Sequence, residues 1–183
     1  MQISIRQRLL SISDRFDIFV DDQQMYTAKR RFFSSTIYLK NQLGSTIISI
    51  RKRPFGINGF GYKIKVIDGL SYNLKTQSLR KGVWTLDTEE YHYHLYEHEG
   101  YAYSLYKEET QIAFCKKNEV VFWGKDQFEI TADYDVDQAI VIAMFLIIDH
   151  AYFLDRLVRI PFQTKFFSDG KSRNWHWRPK LRD

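Results

Sequence analysis

Through most of residues 1–133, apolar and polar side chains alternate, with turn residues interrupting every eight to twelve positions. A period of two sends successive side chains to opposite faces of a strand, and that spacing of turns is typical of an all-β sandwich or barrel. Phe16, Ile18 and Val20 alternate up to an Asp21-Asp22 turn, and residues 25–31, 36–40 and 46–52 follow as meandering hairpins. Tyr62, Ile64 and Val66 alternate with Lys63 and Lys65, then lead through Asp68-Gly69, a dipeptide suited to a type I′ turn, into residues 70–74. Residues 83–86, 91–97, 101–106, 110–116, 119–122 and 127–132 bring the set to about twelve strands. A sheet that size has to close or split to hide its edges.

The alternation stops at residues 139–148, AIVIAMFLII, which are apolar all the way round. A helix with no polar face is surrounded by protein or lipid. This run is too short for lipid, which takes roughly 20 apolar residues, and Asp137 and Asp149 bracket it. The pattern therefore predicts a helix sheathed by strands. Asp135 is placed as its N-cap, with Gln138 completing a capping box. The helix is expected over about residues 136–159, with Arg156 and Arg159 at the negative end of its dipole and Pro161 as the stop. The expected organisation is a barrel over residues 1–160 and a basic, aromatic tail over 161–183.

Composition narrows the class. A 44% hydrophobic and 16% aromatic content excludes disorder and is that of a soluble globular chain. Cys115 is the only cysteine, so an intramolecular disulfide is excluded and a reducing compartment is expected. Within the strand-like TQIAFCKK it reads as a small packed hydrophobe. Arg6 and Arg8 interrupt the stretch where a signal peptide needs apolar residues, so the expected location is the cytoplasm, at most peripheral to a membrane.

Charge is segregated along the chain. Residues 1–82 carry 15 Lys/Arg against 5 Asp/Glu, residues 83–159 carry 6 against 15, and residues 160–183 carry 6 against 2. A first half this basic attracts phosphates or an anionic membrane, unless strands of the two halves pair and neutralise one another.

The helix region carries a resemblance. Residues 133–149, DYDVDQAIVIAMFLIID, resemble the helix shared by phospholipid scramblases and LURP-one-related proteins, in which an acidic Asp-x-Asp-Val element leads into an aliphatic run ending in Leu-Ile-Asp. The segment LLSISDRFDIFVDD resembles the opening strand pair of LURP-one-related proteins. The resemblance spans about residues 1–155 and implies a mainly β fold, the tubby-like closed antiparallel barrel around a buried carboxyl-terminal helix. Membrane or phosphoinositide association is known for some tubby-like relatives, and no catalytic residues are shared among them. Of the acidic segment proposed to bind calcium in scramblases, only Asp133 and Asp135 match clearly.

Candidate chemistry is sparse. Lys29-Arg30-Arg31 and Arg51-Lys52-Arg53 are the strongest basic clusters, joined by Lys63 and Lys65. Strand alternation leaves at most two cations of each triplet on one side, where they suit lipid headgroups or protect a sheet from edge aggregation. Trp175-His176-Trp177-Arg178 fits either a bilayer interface or a tail folded back on the barrel. His92 and His94 share a strand face as weak metal candidates; the alternative is a polar face opposite Tyr91, Tyr93 and Leu95. Asp133, Asp135 and Asp137 lack the Gly and Glu of a calcium loop, since those positions hold Gln138 and Met144, and read better as helix capping. Gly56, Gly59 and Gly61 precede a strand rather than the helix a phosphate loop requires. No nucleophile or general base stands out and no cofactor is implied, so a non-enzymatic protein is expected. The leading expectation is weak association with anionic lipid headgroups or another phosphorylated ligand. A protein-binding scaffold comes second and a scramblase third; nucleic acid fits the charge but has no accompanying motif.

Overall fold

The computed structural model describes residues 1–8, 14–30, 36–56, 59–78, 82–118, 127–157, 174 and 176–181. Among them, every strand pairs antiparallel with its sequence neighbours: β1 (Gln2–Arg8), β2 (Asp14–Val20), β3 (Gln23–Arg30), β4 (Thr36–Asn41), β5 (Thr46–Gly56), β6 (Gly59–Val66), β7 (Ser71–Ser78), β8 (Val83–Asp87), β9 (His92–His98), β10 (Ala102–Lys107), β11 (Thr110–Asn118) and β12 (Gln127–Ala132). The barrel closes because β1 also pairs with β12, setting Ile3 opposite Ile130 and Ile5 opposite Phe128. The expectation of about twelve strands in a closed barrel holds, with two changes. The strand expected at 119–122 lies outside the described residues, and β1, which closes the barrel, was absent from the expected set.

Alternation sorts side chains into two shells. Ile3, Ile5, Ile18, Leu39, Ile50, Ile64, Leu95 and Leu105 are at most 1% exposed and point inward. Twelve strands leave a lumen that side chains alone do not fill. The helix α1 (Gln138–Leu157) occupies it, with Ile140–His150 buried on every side. The Tyr103 ring meets Phe145 edge-on at 6.4 Å. Exclusion of water from the whole circumference is what the apolar run of residues 139–148 demanded.

The helix begins two residues later than expected. Asp137 is the cap: its Oδ1 accepts from the amides of Ala139 at 2.9 Å and Ile140 at 3.1 Å, satisfying donors left open in the first turn. Asp135 and Gln138 form no capping box. Asp135 Oδ2 lies 3.6 Å from Lys180 Nζ, and Gln138 Oε1 accepts from Tyr26 Oη at 3.1 Å.

One end of the barrel, here the near end, holds the turns 21–22, 42–45, 67–70, 88–91 and 108–109 and the entry to α1 at 133–137. The type I′ turn is at Asp21-Asp22, both at positive φ (46° and 65°), which aspartate tolerates better than most residues. At Asp68-Gly69 only the glycine is left-handed, at φ 96°; the Gly69 amide donates to Val66 O, so the turn is of ordinary hand with glycine at its exit. The expected type I′ turn there is corrected accordingly: the loop is one residue longer than a two-residue hairpin.

Candidate functional site

Register decides which of the basic residues share a surface. In β5 and β6, Arg51 lies directly opposite Lys63, Ser49 opposite Lys65, and Arg53 opposite Gly61, which in turn faces Lys75 on β7. Arg51, Arg53, Lys63, Lys65 and Lys75 are all exposed on the outer face. Directly opposed side chains in an antiparallel pair are rooted about 5 Å apart, and like charges so placed repel. Lys29 on β3 is exposed in the same band, beside Arg15 of β2 and Tyr38 of β4. Among the described residues, none of Arg15, Lys29, Arg51, Arg53, Lys63, Lys65 and Lys75 takes part in an ion pair. The outer positions of β4–β7 (36, 38, 40, 49, 51, 53, 63, 65, 71, 73 and 75) include no carboxylate. Spacings of 5–7 Å fall within a Debye length at physiological salt, so an approaching polyanion meets these charges together.

Two residues of the expected clusters are not on this face. Arg30 is 5% exposed and points into the barrel, and Lys52, paired with buried Tyr62, shares its inward side. Their neighbours in sequence took the outer positions, so alternation sent them in. Arg31 lies outside the described residues. Conversely, Arg15 and Lys75 belong to the band and were missed, because the expected strands stopped one residue short of each. Extending the same period by one step would have found both.

The inward cations have a structural setting at the far end of the lumen. Lys117 Nζ donates to Asp149 Oδ1 at 3.1 Å, and both side chains are buried. Burial lowers the basicity of Arg30, with Asp149 opposing the effect. His150, 5% exposed, meets the Tyr62 ring edge-on at 5.7 Å. Burial, then repulsion from Arg30 and Lys52, holds its pKa down at about 4, so it is neutral at pH 7. Burial likewise pushes the Cys115 thiol well above its ordinary value, leaving it an unreactive core side chain, as expected from the sequence.

The histidines of β9 are dispersed among separate partners. His92 Nδ1 lies 2.9 Å from Asp87 Oδ1; that contact, reinforced by Glu108, raises its pKa. The His94 ring stacks on Tyr96, and His98 Nε2 meets Ser104 Oγ at 2.8 Å. The described residues contain no group of three or more His, Cys, Asp or Glu placed to hold a metal. The glycines of FGINGFGYK lie along the β5–β6 hairpin, with Gly56 opposite Gly59.

The tail returns to the near end. Trp177 Nε1 donates to Gln111 O at 2.9 Å, and the Lys180 amide donates to Asp133 Oδ1 at 2.7 Å. Asp133 is 1% exposed and burial raises its pKa, against the pull of Lys180. Arg178 is exposed and donates to Trp177 O, and Trp175 lies outside the described residues. Trp177 is half-buried where it meets β11. Met1, Asp21, Tyr134, Asp135, Gln138 and Leu181 line an open cleft of about 440 Å³ at this end, apart from the basic band.

Comparison with protein families matches residues 1–149 to the LURP-one-related family. That is most of the 183 residues, and the chain belongs to this family. Neither curated proteins nor solved structures yielded a match.

Proposed function

We propose that this LURP-one-related barrel is a binding protein whose outer β3–β7 face docks on the anionic headgroups of a phospholipid membrane. The observation that carries the reading is Arg51 set directly opposite Lys63, flanked by Arg53, Lys65 and Lys75, with no carboxylate among them. Like charges in register weaken the sheet, and a polyanion relieves that cost. Each cation brought near an anionic surface contributes about 1 kcal/mol, so five or more give weak, salt-sensitive association. The closed meander supports the same reading. Within the sheet, strands of the basic half adjoin strands of the acidic half only at the β7·β8 and β1·β12 seams, so most basic strands have basic strands as neighbours.

Flotation with phosphatidylserine-containing and purely zwitterionic vesicles, across a sodium chloride series, tests this. Binding only to the anionic vesicles, lost with salt and abolished in Arg51→Glu/Lys63→Glu, is expected. No binding at low salt, equal binding to zwitterionic vesicles, or unchanged binding of the charge-reversed variant would overturn it.

A further inference from the structure

The near-end turns differ in a way that gives the basic face a direction. Four of the six connections there carry two or more carboxylates: Asp21 and Asp22; Glu89 and Glu90; Glu108 and Glu109; Asp133, Asp135 and Asp137. The β4–β5 turn carries none, and presents Leu43 at 89% exposure. The β6–β7 turn presents Ile67 at 69% and Leu70 at 36%. Its one acid, Asp68, turns Oδ1 back on its own loop, accepting from the Leu70 amide at 3.0 Å.

Nothing in the barrel needs aliphatic side chains at these tips. Each turn closes through a left-handed glycine, Gly44 at φ 77° and Gly69 at φ 96°, and is held by backbone hydrogen bonds together with Asn41 Oδ1 and Asp68 Oδ1, so no aliphatic side chain is needed to close it. Turn tips ordinarily carry polar residues, and large aliphatics there have no core to join. The two tips are neighbours, because β5 pairs with β6 and the Ile67 amide donates to Ile47 O at 2.9 Å. Directly behind them on the outer face stand Lys65 and then Arg51 and Lys63, in the least acidic sector of the near-end rim. Protruding aliphatics beside unpaired cations complement one surface in particular: an anionic bilayer, whose headgroups meet the cations while its acyl chains receive the apolar tips.

We infer that Leu43, Ile67 and Leu70 are a membrane anchor that inserts at the headgroup boundary, so that the barrel sits tilted with its β4–β5 and β6–β7 hairpins leading and its acidic turns held away. This rests on the reading that the basic face docks on anionic lipid, and adds to it an apolar contact that salt does not screen.

The test uses the full chain with Leu43→Cys carrying an environment-sensitive NBD label, Cys115 being buried, and Glu89→Cys labelled likewise as a control. On phosphatidylserine vesicles the label at 43 is expected to shift to the blue and to be quenched by spin-labelled lipid, while the label at 89 stays aqueous. In parallel, unlabelled Leu43→Asn/Ile67→Asn is expected to float roughly tenfold less well or worse in physiological salt, with its melting temperature unchanged. Flotation of the labelled protein with the label at 43 still aqueous, or undiminished flotation of the double variant, would overturn the anchor and leave headgroup docking intact. Failure of the unsubstituted chain to float at low salt would overturn both. A dimer of the free protein that dissolves in the double variant would assign the tips to a second copy of the chain and overturn the anchor.

Discussion

The β4–β7 wall and the β8–β11 wall are alike inside and opposite outside. Both present small and medium aliphatics to the helix: Leu39, Ile50, Ile64 and Leu74 on one side, Leu86, Leu95, Leu105 and Ala113 on the other, all 0–1% exposed. Outward, the described residues of the first wall carry cations without ion pairs and no carboxylate. The second carries rings and their partners: His94 stacks on Tyr96, the Tyr96 and Tyr106 rings meet edge-on at 5.5 Å, and Tyr106 Oη donates to Gln111 Oε1. Ser104, an outward residue between Tyr96 and Phe114, is only 1% exposed. The inner faces answer to one helix and so converge. The outer faces answer to different surroundings, and the wall left without internal partners is where an external one is sought.

The inner likeness is the part most costly to break. Ile50→Ala and Leu95→Ala should each lose about 2–5 kcal/mol in urea unfolding, the usual cost of emptying an enclosed aliphatic site. A loss well under 1 kcal/mol on one wall would mean that the helix is not gripped equally from both sides.

The basic side also acts on the helix from within, through Arg30 and Lys52 near His150. Because the folded pKa of His150 is depressed to about 4 from an ordinary 6.5, the unfolded chain takes up the proton first as pH falls. Its contribution is fully present above about pH 6.5 and is lost on descending to about pH 4, by roughly 3 kcal/mol. Comparing urea midpoints of the unsubstituted chain and His150→Gln at pH 7.5, 5.5 and 4.5 should show the variant losing less across that window. Parallel pH curves would refute the assignment.

On the outer faces the contrast itself is testable. Tyr106→Ala should cost about 2 kcal/mol, less than an enclosed aromatic because one side of the ring faces outward. Arg51→Ser should change stability least, raising it by a few tenths of a kcal/mol as the opposition to Lys63 is relieved. Thermal melts that find Arg51→Ser clearly destabilised would reveal a structural partner for that cation and weaken the contrast.

Much of this architecture was legible. The apolar run of residues 139–148 announced an enclosed helix, and strand periods placed most of the strands. What escaped did so for physical reasons. β1 is a short alternating run whose meaning as the closing strand depends on β12, more than a hundred residues away. Three aspartates at alternate positions, Asp133, Asp135 and Asp137, offer equivalent caps by local pattern; the choice fell to Asp137, while Asp133 and Asp135 engage Lys180 from the far end of the chain. The candidate site was legible as a composition but not as a surface. Arg30 and Arg51 look interchangeable in a list of cations, and only their parity in paired strands separates the buried one from the exposed one.

The sequence by itself determined that this chain makes strands and sheathes an apolar helix with them, because period-two alternation and an apolar circumference are local properties with few physical solutions. Tertiary structure alone decided which cations stand together. Arg51, Lys63 and Lys75 lie on three strands, and it is hydrogen-bond register, set by turns and by closure of the whole barrel, that brings them onto one face beside the tips of Leu43 and Ile67.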